Sequence, residues 1–171
     1  HWLLERGCEA MQIEMIIKSL MFDPVTNLPI IILRDKDGHH MLPIWMGVFE
    51  ANAIALQIEN VASPRPMTHD LLKNVIEDLN ADIKKIVVHD LKDNTFYALL
   101  YLEVNGETVA IDARPSDAIA LALRARAPIF IDKKVIENAK KMDLLPDKHD
   151  AEQLQQWLAN LKPEEFGKYK M

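Results

Sequence analysis

The single cysteine, Cys8, has no partner for an internal disulfide and supplies no thiolate set for a zinc site. Five glycines leave little material for a phosphate-cradling loop. No Walker loop, dinucleotide fingerprint, nucleophile elbow or zinc-protease helix motif occurs. Long apolar runs are also missing. The longest, Phe96 to Leu102, is far too short to cross a bilayer. The first apolar stretch, Trp2 to Leu4, stops at Glu5 and Arg6, so no signal peptide is read and a cytoplasmic protein is expected. Positive charge is in short supply. The net charge of −6 argues against a surface coated with phosphate-binding cations, although it leaves room for a local basic patch or a metal-dependent site.

What is present suits one globular domain. Hydrophobic residues make up 49% and charged residues 27% of 171 positions, enough for a real core and too apolar for disorder. Residues 1–10 read as a leader, with Met11 opening the first strand pattern. The domain is expected over residues 11–171, with a helical extension from about residue 132.

Ile13, Met15 and Ile17 suggest a largely buried strand. Pro29 to Leu33 and Met41 to Met46 flank Asp37-Gly38, a hairpin signal. From Val48 the spacing becomes helical, with Ala51, Ile54, Ala55 and Ile58 on one face. Thr68 is the expected N-cap of a second helix, whose apolar stripe is Leu71, Leu72, Val75, Ile76 and Leu79. Ile83–Leu91, Phe96–Val104 and Thr108–Asp112 form a meander through Asp93-Asn94 and Asn105-Gly106. Ser116 is the expected cap of a third helix, apolar nearly all round through Ala118 to Leu123 and ended by Pro128. Ile129–Ile131 fits a short strand, and Lys133–Lys141 and Ala151–Leu161 fit surface helices. Trp45 and Trp157 fit core or interface anchors. The predicted fold class is α+β: a mixed, largely antiparallel sheet with a meander, packed by helices in a single domain.

Chemistry concentrates at two helix starts. In Arg65-Pro66-Met67-Thr68-His69-Asp70, a stiff loop delivers an arginine beside free backbone N–H groups, a ready anion site. His69 can move protons near neutral pH, and Asp70 can orient it or hold a divalent cation. In Asp112-Ala113-Arg114-Pro115-Ser116-Asp117, Arg114 can fork onto a phosphate while Asp112 and Asp117 approach one cation. Each cluster also fits an ordinary capped helix with a local ion pair. Glu50 is a third candidate, in the first turn of its helix. The stretch from Arg124 to Lys141 holds six cations against Asp132 and Glu137, a net +4, and fits a solvated helix face.

Three strings carry a family resemblance: Leu42-Pro43-Ile44-Trp45-Met46-Gly47 with Glu50-Ala51; Pro64 to Leu72; and Asp112 to Ala122. In this order they resemble signatures of the bifunctional nuclease domain family, and Pro163 to Tyr169 looks like the ending of bacterial members. The resemblance implies nuclease activity on RNA and DNA and an oligomeric α+β protein; it assigns no catalytic residues. The candidate set is therefore His69, Asp70 and Glu50 for catalysis, and Arg65, Arg114, Ser116 and Asp117 for substrate binding. Carboxylates among Glu50, Asp70, Asp112 and Asp117 are expected to bind magnesium or manganese, with the ligands unassigned. Nucleic acid is the expected substrate, and a homodimer or higher homo-oligomer, built on Trp45, the first strand and Pro29–Leu33, is the expected assembly. The alternative is a non-enzymatic module that binds an anion, a nucleotide or a partner.

Overall fold

Two three-strand meanders, joined by one short strand, make the sheet. The computed structural model describes residues 12–141. The leader, Met11, the Ala151–Leu161 helix, Trp157 and the Pro163–Tyr169 ending lie outside the described residues. The first meander runs β1 (Gln12–Phe22), β2 (Pro29–Asp35) and β3 (Met41–Trp45), antiparallel throughout, with a register shift in β1 between Ile17 and Ser19. Gly38 takes φ +74 in the β2–β3 turn. The second runs β4 (Ala81–Lys92), β5 (Thr95–Val104) and β6 (Glu107–Ala113). Asn105 and Gly106 take φ 52 and φ 81, the left-handed pair that a type I′ turn needs, so the expected β5–β6 hairpin forms. Asp93 and Asn94, at φ 50 and φ 60, repeat the solution between β4 and β5.

β7 (Ile129–Asp132) lies between the meanders, antiparallel to β1 and parallel to β4. The order is β3-β2-β1-β7-β4-β5-β6, a seven-strand open sheet with a single parallel pair. Together with four helices this is a single-domain α+β fold with a largely antiparallel sheet. The helices are α1 (Val48–Ile58), α2 (Thr68–Asp78), α3 (Pro115–Ala125) and α4 (Lys133–Lys141).

Helix α3 is the centre of the packing. Ala118, Ile119, Ala120, Leu121 and Ala122 are all buried, and the helix touches α1, α2, β4 and β5. Its alanines let neighbouring helices approach closely. Ile119 and Leu121 each contribute roughly 1.5–3 kcal/mol by burial. Helix α4 buries Val135, Ile136 and Ala139 and exposes its lysines, as a surface helix should. Helix α2 departs from expectation. None of its residues is buried, and of its apolar stripe only Ile76 packs against the core. Leu71, Leu72, Val75 and, just past its end, Leu79 face outward.

The helix caps also shift. Met67 and Arg114, not Thr68 and Ser116, are the extended N-cap residues. Pro115 takes the first helical position, where its missing N–H costs nothing, and holds Arg114 extended; Ser116 is drawn inside the helix and buried. Ile30 to Leu33 are consumed within the chain, and Trp45 is half-buried. Ile31 and Leu33 join the main core, while Ile30 and Ile32 pack on the other face with Met21 and Trp45. Among the described residues no helix is long and apolar enough to cross a membrane.

Candidate functional site

The starts of α1, α2 and α3 border a groove of about 840 Å³, closed on one side by β5 and β6. Phe49, Leu56, Leu72, Leu100, Ile111 and Leu121 give it apolar walls. Its polar lining is Glu50, His69, Arg114 and Asp117, with Asn52 and Thr68; Asp112 borders it through its backbone, because its register partner on β5 is Leu99 and not the groove-lining Leu100.

Four of these side chains form one hydrogen-bonded chain. Arg114 donates from Nη2 to Glu50 Oε1 and from Nε to Asp117 Oδ2, each at 2.9 Å. The other oxygen of Asp117 meets His69 Nε2 at 2.9 Å. Glu50 and Asp117 occupy the third position of α1 and α3, where the helix dipole favours a carboxylate. Gly47 caps α1, and a Cβ there would run into the Glu50 carboxylate, so only glycine leaves that rotamer free. His69 is only 13% exposed. An ionised Asp117 can only accept, which assigns the proton to Nε2 and leaves Nδ1 as the basic nitrogen of the neutral ring.

The electrostatics favour ions over neutral forms. Burial pushes the Asp117 carboxyl up, but hydrogen bonds from His69 and Arg114 and the arginine's charge outweigh it, and its pKa falls below the ordinary 3.8. The Asp117 and Glu50 bonds raise Arg114 further above its usual value, so it stays charged.

The remaining candidates lie elsewhere. Asp70, at the third position of α2, accepts from the Met67 N–H at 2.9 Å and from Arg124 Nε at 2.6 Å, and does not line the groove. Burial raises its pKa, but those two bonds prevail and lower it. Arg65 is exposed and does not line the groove, and neither does Ser116. Of the candidates at the two Arg-Pro helix starts, His69, Arg114 and Asp117 share the groove and Arg65 does not.

Arg124 was placed by its sequence in a solvated basic stretch; it is instead 4% exposed. Besides Asp70 it donates to the carbonyls of Ala120 and Ala53, tying α1, α2 and α3 together where they border the groove. Its one sequence signal is position: it follows one turn after Ala120 on a helix that is apolar nearly all round.

A resident divalent cation does not fit this arrangement. Among the described residues no three His, Cys, Asp or Glu side chains come together to hold one. The guanidinium of Arg114 bridges Glu50 and Asp117, and Asp70 is engaged by Arg124. Away from the groove, Asp35 accepts from the backbone of His40 and pairs with its ring, and Trp45 donates to Asp23, so these polar groups serve turns.

Comparison with known proteins agrees with this picture in extent. The family model described as "Bifunctional nuclease domain" matches residues 31–143, which include every groove-lining residue. An uncharacterized protein of Mycobacterium tuberculosis is 35% identical over 164 residues, covering 90% of this chain and 97% of that protein. Bifunctional nuclease 1 of Arabidopsis thaliana is 29% identical over 124 residues, 66% of this chain and 38% of the plant protein. Bifunctional nuclease 1 of Oryza sativa subsp. japonica is 28% identical over 112 residues, 63% of this chain and 34% of the rice protein. The family match spans both Arg-Pro helix starts and all three groove-forming helices, and the chain belongs to the bifunctional nuclease domain family.

Proposed function

We propose that the groove hydrolyses phosphodiester bonds of RNA and DNA, with His69 as proton acceptor. The observation that carries this reading is the His69–Asp117 pair, held at 2.9 Å beside Arg114 on one groove. As the water oxygen bonds to phosphorus, His69 Nδ1 takes its proton and Asp117 stabilises the imidazolium; the ester P–O bond breaks and the leaving oxygen takes up a proton from that imidazolium or from water. Arg114 commits two of its five N–H donors to carboxylates and keeps the rest for the charge that builds on the phosphate. Glu50 holds the guanidinium in place, and Asp70 acts at a distance by fixing the start of α2.

Magnesium or manganese brought by solvent or substrate would meet carboxylates already engaged by arginine, and no step above runs through it. Nuclease assays on single-stranded RNA and DNA test both. His69→Gln is expected to lower the rate by roughly 10²–10⁴-fold. Wild-type activity that survives both His69→Gln and EDTA would mean a contaminating nuclease and refute the reading. Adding each metal back after EDTA decides whether a cation is needed.

One observation favours a second reading, a binding module without turnover. Arg114 is already neutralised by two carboxylates, which lowers the drive to take up a phosphate. Stable oligonucleotide binding by wild-type protein with no cleavage would select it.

In either case we propose a cytoplasmic protein that forms a homodimer or higher homo-oligomer. Pro29–Leu33 is spent inside the chain and Trp45 is half-buried against it, so the contact falls to the exposed leucines and valine of α2. A monomer mass by light scattering at micromolar concentration, or recovery in the membrane fraction of cells, would overturn the corresponding half.

A further inference from the structure

We propose that a second copy of this chain completes the groove: its α2 seats on the apolar face of β6 and walls the end of the groove away from His69. The assembly stands on packing alone; what the wall does for the rate rests on the nuclease reading above.

Two elements that border the groove bury nothing. No residue of α2 is buried, and six of the seven residues of β6 are exposed. Val109 and Ile111 of β6 pair with Leu102 and Leu100 of β5, which belong to the main core, so all four point to the helix side of the sheet. Helix α2 packs on α3 and β4 and leaves Val109 and Ile111 uncovered. An apolar shelf of β6 thus lies beside an apolar ridge, Leu71, Leu72, Val75 and Leu79. These six side chains are 41% to 72% exposed.

Their exposed surface is on the order of 500 Å², the size that marks an interaction site. Interfaces are roughly 60% apolar, so such a patch calls for about 800 Å² per partner, as in a stable dimer. A ridge beside a shelf is self-complementary. Turned about a two-fold axis, each copy lays its ridge on the other's shelf. Pairing of two β6 edges alone would use their free backbone groups but leave Val109 and Ile111 uncovered.

Register fixes where the contact falls. Helix α2 ends at Asp78, and Ala81 then opens β4 opposite Val104. Val104 pairs with Glu107 at the start of β6, whereas Ala113 at its end leads into Arg114. The later turns of α2 therefore lie toward Val109, and His69 and Arg114 lie at the other end. The partner's α2 closes the apolar end and leaves the charged end open to substrate. Water kept out of the closed end strengthens the pull of Arg114 on a phosphate.

Light scattering at micromolar concentration tests the assembly, and disulfide trapping tests its geometry. In a Cys8→Ser background, oxidising a mixture of Val75→Cys and Val109→Cys chains is expected to yield covalent pairs with one of each. Val109→Glu and Leu79→Glu each put a charge in the contact and are expected to weaken dimerisation by roughly ten- to a hundredfold. Both sites are exposed in the single chain, so its fold tolerates the charge. Nuclease rate per chain is expected to rise with protein concentration as dimers form, and to fall in both variants. A monomer mass for wild type, Val109–Val109 pairs alone, or a dimer unmoved by both charges overturns the proposal. A dimer that both charges break, with a rate per chain that ignores concentration, takes the partner out of the site and overturns it too. The same dimer with no cleavage by wild type upholds the assembly and sinks the nuclease reading.

Discussion

Arg65-Pro66 and Arg114-Pro115 both precede a helix with aspartate at its third position, yet only Arg114 reaches the groove. The difference lies in register. Pro115 is the first residue of α3, which makes Arg114 the cap and places its guanidinium over Asp117. Pro66 stands one residue before the cap of α2, so Arg65 is carried a further residue out into solvent. The two aspartates diverge as well. Asp117 faces His69 and Arg114, whereas Asp70 turns to its own cap and to buried Arg124. One start turns its charged groups toward the groove and the other ties its helix down.

Removing the attachment should have the largest effect. Arg124→Met deletes donors to Asp70, Ala53 and Ala120 and leaves a carboxylate and two carbonyls without them. A loss of about 2–3 kcal/mol is expected, because Arg124 is buried but the Asp70 it leaves behind keeps access to water and the Met67 N–H. Urea unfolding measures it. A loss below about 1 kcal/mol, the level of an exposed pair, would mean that α2 is held by something else.

Arg114→Lys comes next. It keeps the charge but cannot hold Glu50 and Asp117 at once through a planar fork. A lost charge-assisted bond corresponds to roughly ten- to over a hundredfold in rate. An unchanged rate with a lowered melting temperature would make Arg114 scaffold.

In acid the two starts should behave alike. Asp70 and Asp117 both have lowered pKa values in the folded protein, so the unfolded chain takes up protons first as pH falls. Their stabilisation is complete above the ordinary 3.8 and disappears as pH drops through the lowered folded values. Melting temperature should therefore fall more steeply below pH 3.8 in wild type than in Asp70→Asn or Asp117→Asn. Parallel curves would contradict the assigned bonds.

Arg65 should matter least. As an exposed charge outside the groove it can only attract substrate from a distance. Arg65→Ala is expected to raise KM by no more than about fivefold, an effect that salt screens away. A salt-insensitive drop in kcat would return Arg65 to the site.

Local signals in the sequence read well. Asn105-Gly106 is a turn because both residues tolerate positive φ, and α3 is buried because its apolar residues leave no polar face. The failures are of two kinds. Thr68 and Ser116 looked like caps because their hydroxyls suit the position, but each helix starts one or two residues earlier than that. The stripe of α2 implied burial, and nothing local says that only Ile76 of it meets the core. Long-range pairs gave no signal at all. Glu50 meets Arg114 across 64 residues, and Arg124 meets Asp70 across 54.

The placement of β7 has a consequence for how fast the chain folds. Each meander closes through short turns, but β7 must find β1 more than a hundred residues back along the chain before the two halves become one sheet. Loop closure over that distance is entropically costly, so contacts of this kind form late. The four residues of β7 are then the seam of the folding pathway, docked after the barrier is crossed. Trimming its buried Ile131 to valine should cost about 1 kcal/mol and speed unfolding while leaving the refolding rate unchanged. A stopped-flow chevron in which the refolding arm slows instead would place the seam in the nucleus.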